Sequence, residues 1–146
     1  MTPDEILKHP ARVLSQTQRE TYFEKGFVIV QEFIPIAVLE ELQKKTHSFV
    51  QKSKNITKSD DRFDIGSGHS AETPILRRLK SPDTASTVYW NFSTGLMADV
   101  AADLVGPNVT FHHSKLNFKW FDASDTVKWH QDIQFFPHTN YNVLTI

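Results

Sequence analysis

A histidine and an aspartate lie two residues apart near the end of this sequence, at His130 and Asp132. In an extended strand, residues i and i+2 point to the same side, so the imidazole and the carboxylate would reach one point in space. Such a nitrogen and such an oxygen are two of the three protein ligands in the facial triads that hold ferrous iron. The spacing therefore predicts a divalent-metal site, with Trp129 and Gln131 turned to the opposite side.

The composition limits the chemistry that such a site can have. The chain has 146 residues and no cysteine, which excludes thiolate metal sites and disulfides. Lys and Arg total 16 against 17 Asp and Glu. Because nucleic-acid binders usually carry a basic excess, this balance argues against a nucleic-acid partner. The amino terminus has no basic segment followed by an apolar run, and no stretch approaches the roughly 20 apolar residues that span a bilayer. We expect a cytoplasmic protein without a nucleic-acid or membrane partner.

Cap patterns and hydrophobic periodicity predict helices in the first third of the chain. Thr2–Glu5 has the pattern of a capping box with proline at the first helical position, and Ser15–Gln18 repeats the N-cap signal. Gly26 is a plausible C-cap for the second of these helices. Apolar residues recur at 3.6-residue spacing over 36–52, which predicts the longest helix. The region 1–55 is therefore predicted to be helical.

The middle of the chain predicts a long loop, short strands and another helix. A polar stretch with two glycines predicts a loop over 54–71. Short apolar runs predict strands at 27–30 and 75–79, and a helix is predicted over 94–105. The arginines at positions 77 and 78 are either surface residues or a grip for an anionic substrate group.

Residues 109–120 alternate in a way that predicts an extended strand. Lys115, Asn117 and Lys119 share one face, where they either meet water or line a polar cavity. A polar turn follows, so the segment that contains the histidine and the aspartate would run antiparallel to this strand. In that arrangement His130 would face the same cavity as Asn117.

Five segments together resemble one known family, and they are Tyr22–Val30, Arg77–Pro82, Lys115–Lys119, Trp129–Asp132 and Phe136–Asn140. The family is that of the phytanoyl-CoA dioxygenases. The resemblance implies an α+β protein with an incomplete double-stranded β-helix core, the cupin-like jelly roll, and N-terminal helices packed on its sheet. It implies one domain over 1–146, with β-structure concentrated in 109–146.

The resemblance also implies a chemistry. Members use Fe(II), 2-oxoglutarate and O₂, typically hydroxylate an unactivated C–H bond, and release succinate and CO₂. Residue by residue, His130 and Asp132 match the first two iron ligands and are the implied catalytic residues. Asn117 matches a position that contacts 2-oxoglutarate, and Lys115 and Lys119 of the same motif are assigned to that contact too. The substrate would be a small molecule that the sequence does not identify.

Two residues that the family uses have no counterpart here: the second histidine of the triad and the arginine that grips the distal carboxylate of 2-oxoglutarate. In the family both lie beyond the position of residue 146. Three explanations stay open: a fragment, one half of an assembly whose barrel a second chain completes, and a relic without catalysis. The local candidates for the missing ligand are His112, His113 and His138. Two rival functions stay open as well, a non-catalytic interaction module and a cupin-like divalent-metal protein.

Overall fold

The computed structural model describes residues 1–120, 127–132 and 142–146 of an α+β protein. The chain divides into two compact units, the first formed by Met1–Phe33, Thr94–Phe111 and Val127–Ile146 and the second by Ile34–Ser93 and His112–Thr126. The elements in chain order are α1 (Pro3–Lys8), α2 (Gln16–Lys25), α3 (Ile36–Ser53), β1 (Phe63–Ile65), β2 (Leu76–Lys80), α4 (Pro82–Ala85), α5 (Thr87–Thr94), α6 (Leu96–Val105) and β3 (Lys115–Asn117). None of the helices in the described ranges combines the length and the apolar character that a membrane crossing requires.

The first two helices begin at the capping boxes that the sequence predicts. The Thr2 hydroxyl accepts the backbone N–H of Glu5, and the Glu5 carboxylate accepts the backbone N–H of Thr2, which lowers the pKa of that carboxyl. Ser15 and Gln18 make the same reciprocal pair at the start of α2. Gly26 ends α2 with a φ of 78°, a left-handed conformation that glycine adopts without the steric cost of a Cβ. These predictions are confirmed.

A buried aspartate fixes the chain segment before α2 onto α6 in the first unit. Asp103 is only 2% exposed to solvent. Its Oδ1 accepts the backbone N–H of Arg12 at 2.7 Å, and its Oδ2 accepts those of Val13 and Leu14 at 2.9 and 2.8 Å. Three charge-assisted hydrogen bonds replace those that the carboxylate would make to water.

A buried arginine complements the ends of two helices in the same unit. Arg19 is 2% exposed, and its guanidinium donates to the carbonyl oxygens of Ile6, His9 and Asp103 at 2.5, 3.1 and 3.1 Å. These carbonyls belong to the last turns or caps of α1 and α6, where the helix dipole concentrates negative charge. A further bond to the Gln16 amide oxygen completes the set of acceptors. The positive charge is therefore buried among oriented carbonyl dipoles.

The segment 27–30 packs on the small apolar core of the first unit without forming a strand. Its side chains alternate as predicted, since Val28 and Val30 contact the core while Phe27 and Ile29 are 58% and 75% exposed. No neighbouring backbone among the described residues pairs with it, so the predicted strand is wrong. The core members are Leu14, Val100 and Leu104, with Val13, Tyr22, Val28, Val30, Phe33, Met97 and Leu144 around them.

The second unit is built on a three-stranded antiparallel sheet in the order β1-β2-β3. Phe63 of β1 pairs with Leu79 of β2, which pairs with Leu116 of β3. This apolar row faces a core shared with α3 and α5. The core consists of Leu42, Phe49, Phe63, Leu76, Leu79 and Tyr89, with partly buried neighbours that include Leu116 and Trp120.

Four elements differ from the prediction, namely β1, the strand predicted over 109–120, α4 and α5. The loop predicted over 54–71 contains β1, whose three residues are too short a run to show an alternating pattern. The strand predicted over 109–120 is paired only at Lys115–Asn117, because β2 offers partners to those three residues. The helices α4 and α5 are not predicted from the sequence. The strand at 75–79 and the helices at 36–52 and 94–105 are confirmed as β2, α3 and α6.

Candidate metal and co-substrate site

The structure brings His130 and Asp132 together in the first unit. Nε2 of His130 lies 3.2 Å from Oδ1 of Asp132, and each side chain is 37% exposed. The two groups therefore meet at a point that a solute can reach. Residues 127–131 form no strand pairing, so the local chain holds this geometry without the strand that the sequence predicts there.

The other ring nitrogen fixes the orientation of His130. Its Nδ1 lies 2.7 Å from the carbonyl oxygen of Lys128. A carbonyl only accepts hydrogen bonds, so Nδ1 carries a proton and the lone pair of the neutral imidazole lies on Nε2. Metal-binding histidines typically donate one ring N–H to a backbone carbonyl or carboxylate and bind the metal through the other nitrogen.

The donor atoms of this pair fit a divalent metal ion. A neutral Nε2 and a carboxylate Oδ1 are both acceptors, so a positive charge has to lie between them for the contact to be attractive. A proton on Nε2 supplies such a charge, and so does a metal. Two ligand atoms that bind one metal at right angles, each at about 2.1 Å, lie about 3.0 Å apart. The 3.2 Å separation of Nε2 and Oδ1 is close to that value.

The structure does not complete a three-ligand site within the residues it describes. No group of three His, Asp or Glu side chains in 1–120, 127–132 and 142–146 could enclose a metal ion. His112 and His113 belong to the second unit, where their Nδ1 atoms lie 2.5 Å from each other. His138 lies outside the described residues, as does the matching segment Phe136–Asn140.

The residues that the family resemblance assigns to 2-oxoglutarate lie in the second unit. Lys115 and Asn117 belong to β3 and are exposed. Their side chains lie on the face of the sheet opposite the partly buried Leu116. Lys119 follows the strand and is exposed as well. This polar face is turned away from the apolar core of the unit.

Asn117 is oriented by an arginine on the neighbouring strand. Arg78 is its direct partner in the register of β2 and β3, and Arg78 Nε donates to Asn117 Oδ1 at 3.0 Å. Because the amide oxygen accepts this bond, the amide NH₂ is left to donate elsewhere. The pairing depends on the register of the sheet, which the sequence analysis did not predict.

Arg77 has a different partner from Arg78. A register shift makes Arg77 an extra residue of β2 opposite β1, where its guanidinium lies 2.8 Å from the carboxylate of Asp64. Burial raises the pKa of Asp64, but the hydrogen bond and the charge of Arg77 outweigh it and lower the pKa overall. Arg77 therefore forms an ion pair with Asp64, whereas Arg78 donates to the Asn117 amide oxygen.

The chain matches one protein family and one curated relative. The profile of the family described as "Phytanoyl-CoA dioxygenase (PhyH)" matches residues 22–146. The "Probable alpha-ketoglutarate-dependent hypophosphite dioxygenase" of Stutzerimonas stutzeri is 25% identical over 139 residues, which cover 92% of this chain and 46% of that protein. The chain thus spans about half the length of this relative. No solved structure matches it.

Proposed function

Because the chain belongs to the phytanoyl-CoA dioxygenase family, we propose that the protein is a dioxygenase that uses Fe(II), 2-oxoglutarate and O₂ to hydroxylate a small molecule. The observation that carries this proposal is the His130 Nε2–Asp132 Oδ1 pair, with its imidazole tautomer fixed by Lys128. The name of the Stutzerimonas stutzeri relative supports the co-substrate. The α+β fold with its antiparallel sheet is compatible with a jelly-roll core, which is part of the proposal.

In this proposal each residue of the pair has a defined task. His130 would bind the iron through Nε2 while its Nδ1–H donates to the Lys128 carbonyl oxygen. Asp132 would supply a carboxylate, which lowers the net charge of the metal site. When bound, the iron supplies the oxidation of a C–H bond, coupled to decarboxylation of 2-oxoglutarate. The protein contributes the placement of the ligands on one side of the ion.

The polar side chains of Lys115, Asn117 and Lys119 are the proposed contacts of 2-oxoglutarate. Asn117 donates its NH₂ group to a carboxylate of 2-oxoglutarate, because Arg78 already occupies its amide oxygen. Lys115 and Lys119 add charge-assisted hydrogen bonds to the same carboxylates. The role of Arg78 is to keep the Asn117 amide in the orientation that donates.

The remaining iron ligand and the cation for the distal carboxylate come from residues outside this sequence in our proposal. They lie either further along a longer protein or in a second chain that completes the barrel. The coverage of 46% of the Stutzerimonas stutzeri relative supports this view. The name of that relative also suggests a phosphorus oxyanion as one substrate class to test.

A spectroscopic experiment tests the proposed function. We expect the complete protein, which includes the residues that supply the remaining ligand and the cation, to develop the visible charge-transfer band of the chelated co-substrate when it is loaded without oxygen with Fe(II) and then 2-oxoglutarate. His130→Ala removes the band because one ligand is lost, whereas His47→Ala on the exposed side of α3 keeps it.

The other outcomes of this experiment select the rival functions. Metal binding without any band on addition of 2-oxoglutarate contradicts the dioxygenase and favours a cupin-like metal protein. A folded protein that shows neither metal binding nor a band favours the interaction module.

A further inference from the structure

Three cationic side chains lie side by side on the polar face of the sheet in the second unit. Lys80 of β2 is directly opposite Lys115 of β3. On its other side, the backbone N–H of Lys80 donates to the carbonyl oxygen of Arg62 at 2.8 Å, which places Arg62 next to it. The adjacent residue in each strand points into the apolar core, so the pleat turns these three side chains to the opposite face. We call Arg62, Lys80 and Lys115 the basic row.

The basic row is unfavourable without a partner charge. Neighbouring strands lie about 4.8 Å apart, so the backbone positions of the three residues span about 10 Å, and like charges directly opposite one another destabilise a sheet. The carboxylate of Asp60 attracts Lys80 and Arg62 but is held by the backbone N–H groups of Arg62 and Phe63, and these two bonds lower its pKa. Asp60 thus compensates one of the three charges, and positive charge remains in excess.

Two members of the row are held in place by their own hydrogen bonds. The Lys80 ammonium donates to the carbonyl oxygen of Asp60 at 2.6 Å. The Arg62 guanidinium donates to the Ser81 carbonyl oxygen at 3.2 Å and to the Thr84 hydroxyl at 3.4 Å. An ammonium has three N–H donors and a guanidinium has five, so each group keeps donors for a ligand. Prepositioned N–H donors with an excess of positive charge are the chemistry that recognises oxyanions.

We propose that the basic row is a binding site for a small, multiply charged oxyanion, with inorganic phosphate as the probe. Cationic side chains that serve only to keep a surface hydrated gain nothing from lying directly opposite one another. A bound oxyanion attracts each of them and so offsets their mutual repulsion. Binding therefore stabilises the second unit. The site uses residues of the second unit alone and requires no metal. It shares only Lys115 with the proposed 2-oxoglutarate contacts, so phosphate binding tests it apart from oxygenase activity.

A titration of the full chain tests this site. The ¹⁵N-labelled protein is titrated with sodium phosphate, with the ionic strength held constant by sodium chloride. We expect saturable shifts of backbone amide signals that are concentrated at the basic row. The double variant Lys80→Gln/Lys115→Gln binds phosphate at least about tenfold more weakly, whereas Lys44→Gln, which removes one exposed charge from α3 in the same unit, leaves the affinity unchanged.

Thermal unfolding provides a second readout that does not depend on the assignment of signals. Phosphate raises the melting temperature of the wild type more than that of the folded double variant, because only the native wild type binds it. The proposal is overturned by shifts that do not saturate at constant ionic strength, or by an equal loss of affinity in Lys44→Gln. A parallel titration with 2-oxoglutarate compares the two oxyanion sources that the row could bind: displacement of phosphate shows that the row accepts a dicarboxylate, and no displacement shows that it prefers phosphate to 2-oxoglutarate.

Discussion

Asp103→Ala is expected to lower the free energy of unfolding by about 3 to 5 kcal/mol, because it removes a buried carboxylate that accepts three backbone N–H groups. The N–H groups of Arg12, Val13 and Leu14 would lose their acceptor, and the segment before α2 would lose its attachment to α6. Folded proteins have a stability of only about 5–15 kcal/mol, so the variant loses a large share of it. Urea denaturation followed by circular dichroism measures the change.

A matched control lies one turn earlier on the same helix. Asp99 pairs with Arg12 at 3.0 Å, but these side chains are 42% and 45% exposed, so Asp99→Ala should cost no more than about 1 kcal/mol. Asp103→Asn keeps an acceptor oxygen but turns an NH₂ group toward backbone donors, and it should fall between the two. Equal effects of Asp103→Ala and Asp99→Ala would show that the buried carboxylate does not hold the segment.

Loss of either residue of the candidate metal site should weaken metal binding about a hundredfold or more. Substitution of a group that only orients a ligand already costs 10- to 100-fold in affinity, and loss of the ligand itself costs at least as much. His130→Ala and Asp132→Ala are therefore expected to act alike. The measurement is a titration with Mn(II), in which the free ion is quantified by electron paramagnetic resonance.

His47→Ala serves as the control for this titration, since it removes an exposed imidazole from α3. Its affinity for Mn(II) should equal that of the wild type. If all three variants lose affinity to the same extent, the binding reflects nonspecific contacts of surface side chains. If none loses affinity, the metal lies elsewhere.

Local patterns in the sequence predict what depends on a few consecutive residues. The capping boxes at Thr2 and Ser15 and the C-cap at Gly26 are correct because each involves residues within one or two turns. The contact between His130 and Asp132 is also local, since only one residue separates them. The caps follow from neighbouring residues alone. The contact between His130 and Asp132 is present, but the strand predicted to bring these side chains together does not form over 127–131.

Features that depend on pairing across the chain could not be read in the same way. The bond between Arg78 and Asn117 follows from the register of β2 and β3. The basic row follows from that register and from the bond of Lys80 to Arg62 on its other side, and no periodicity specifies either pairing. The strand β1 lies in a segment whose sequence predicts a loop, because three residues give too little pattern. Its pairing with β2 supplies the stability that its own sequence does not.

Of the buried charges Asp103 and Arg19 in the first unit, only Asp103 has a signal in the sequence. Asp103 lies three residues after Val100 and seven after Leu96, so it falls on the apolar face of α6. An acid on such a face has to be compensated by hydrogen-bond donors, which predicts a partner segment. Arg19 gave no comparable sign, because α2 has no clear apolar face and its acceptors come from two other helices.

The most direct test of the metal site is the nitrogen hyperfine coupling of Mn(II) bound to the protein, measured by pulsed electron paramagnetic resonance. If His130 and Asp132 hold one divalent ion, the bound Mn(II) shows ¹⁴N coupling to an imidazole. This coupling disappears in His130→Ala and persists in His113→Ala. Bound Mn(II) without nitrogen coupling, or with a coupling that survives His130→Ala, would contradict the account.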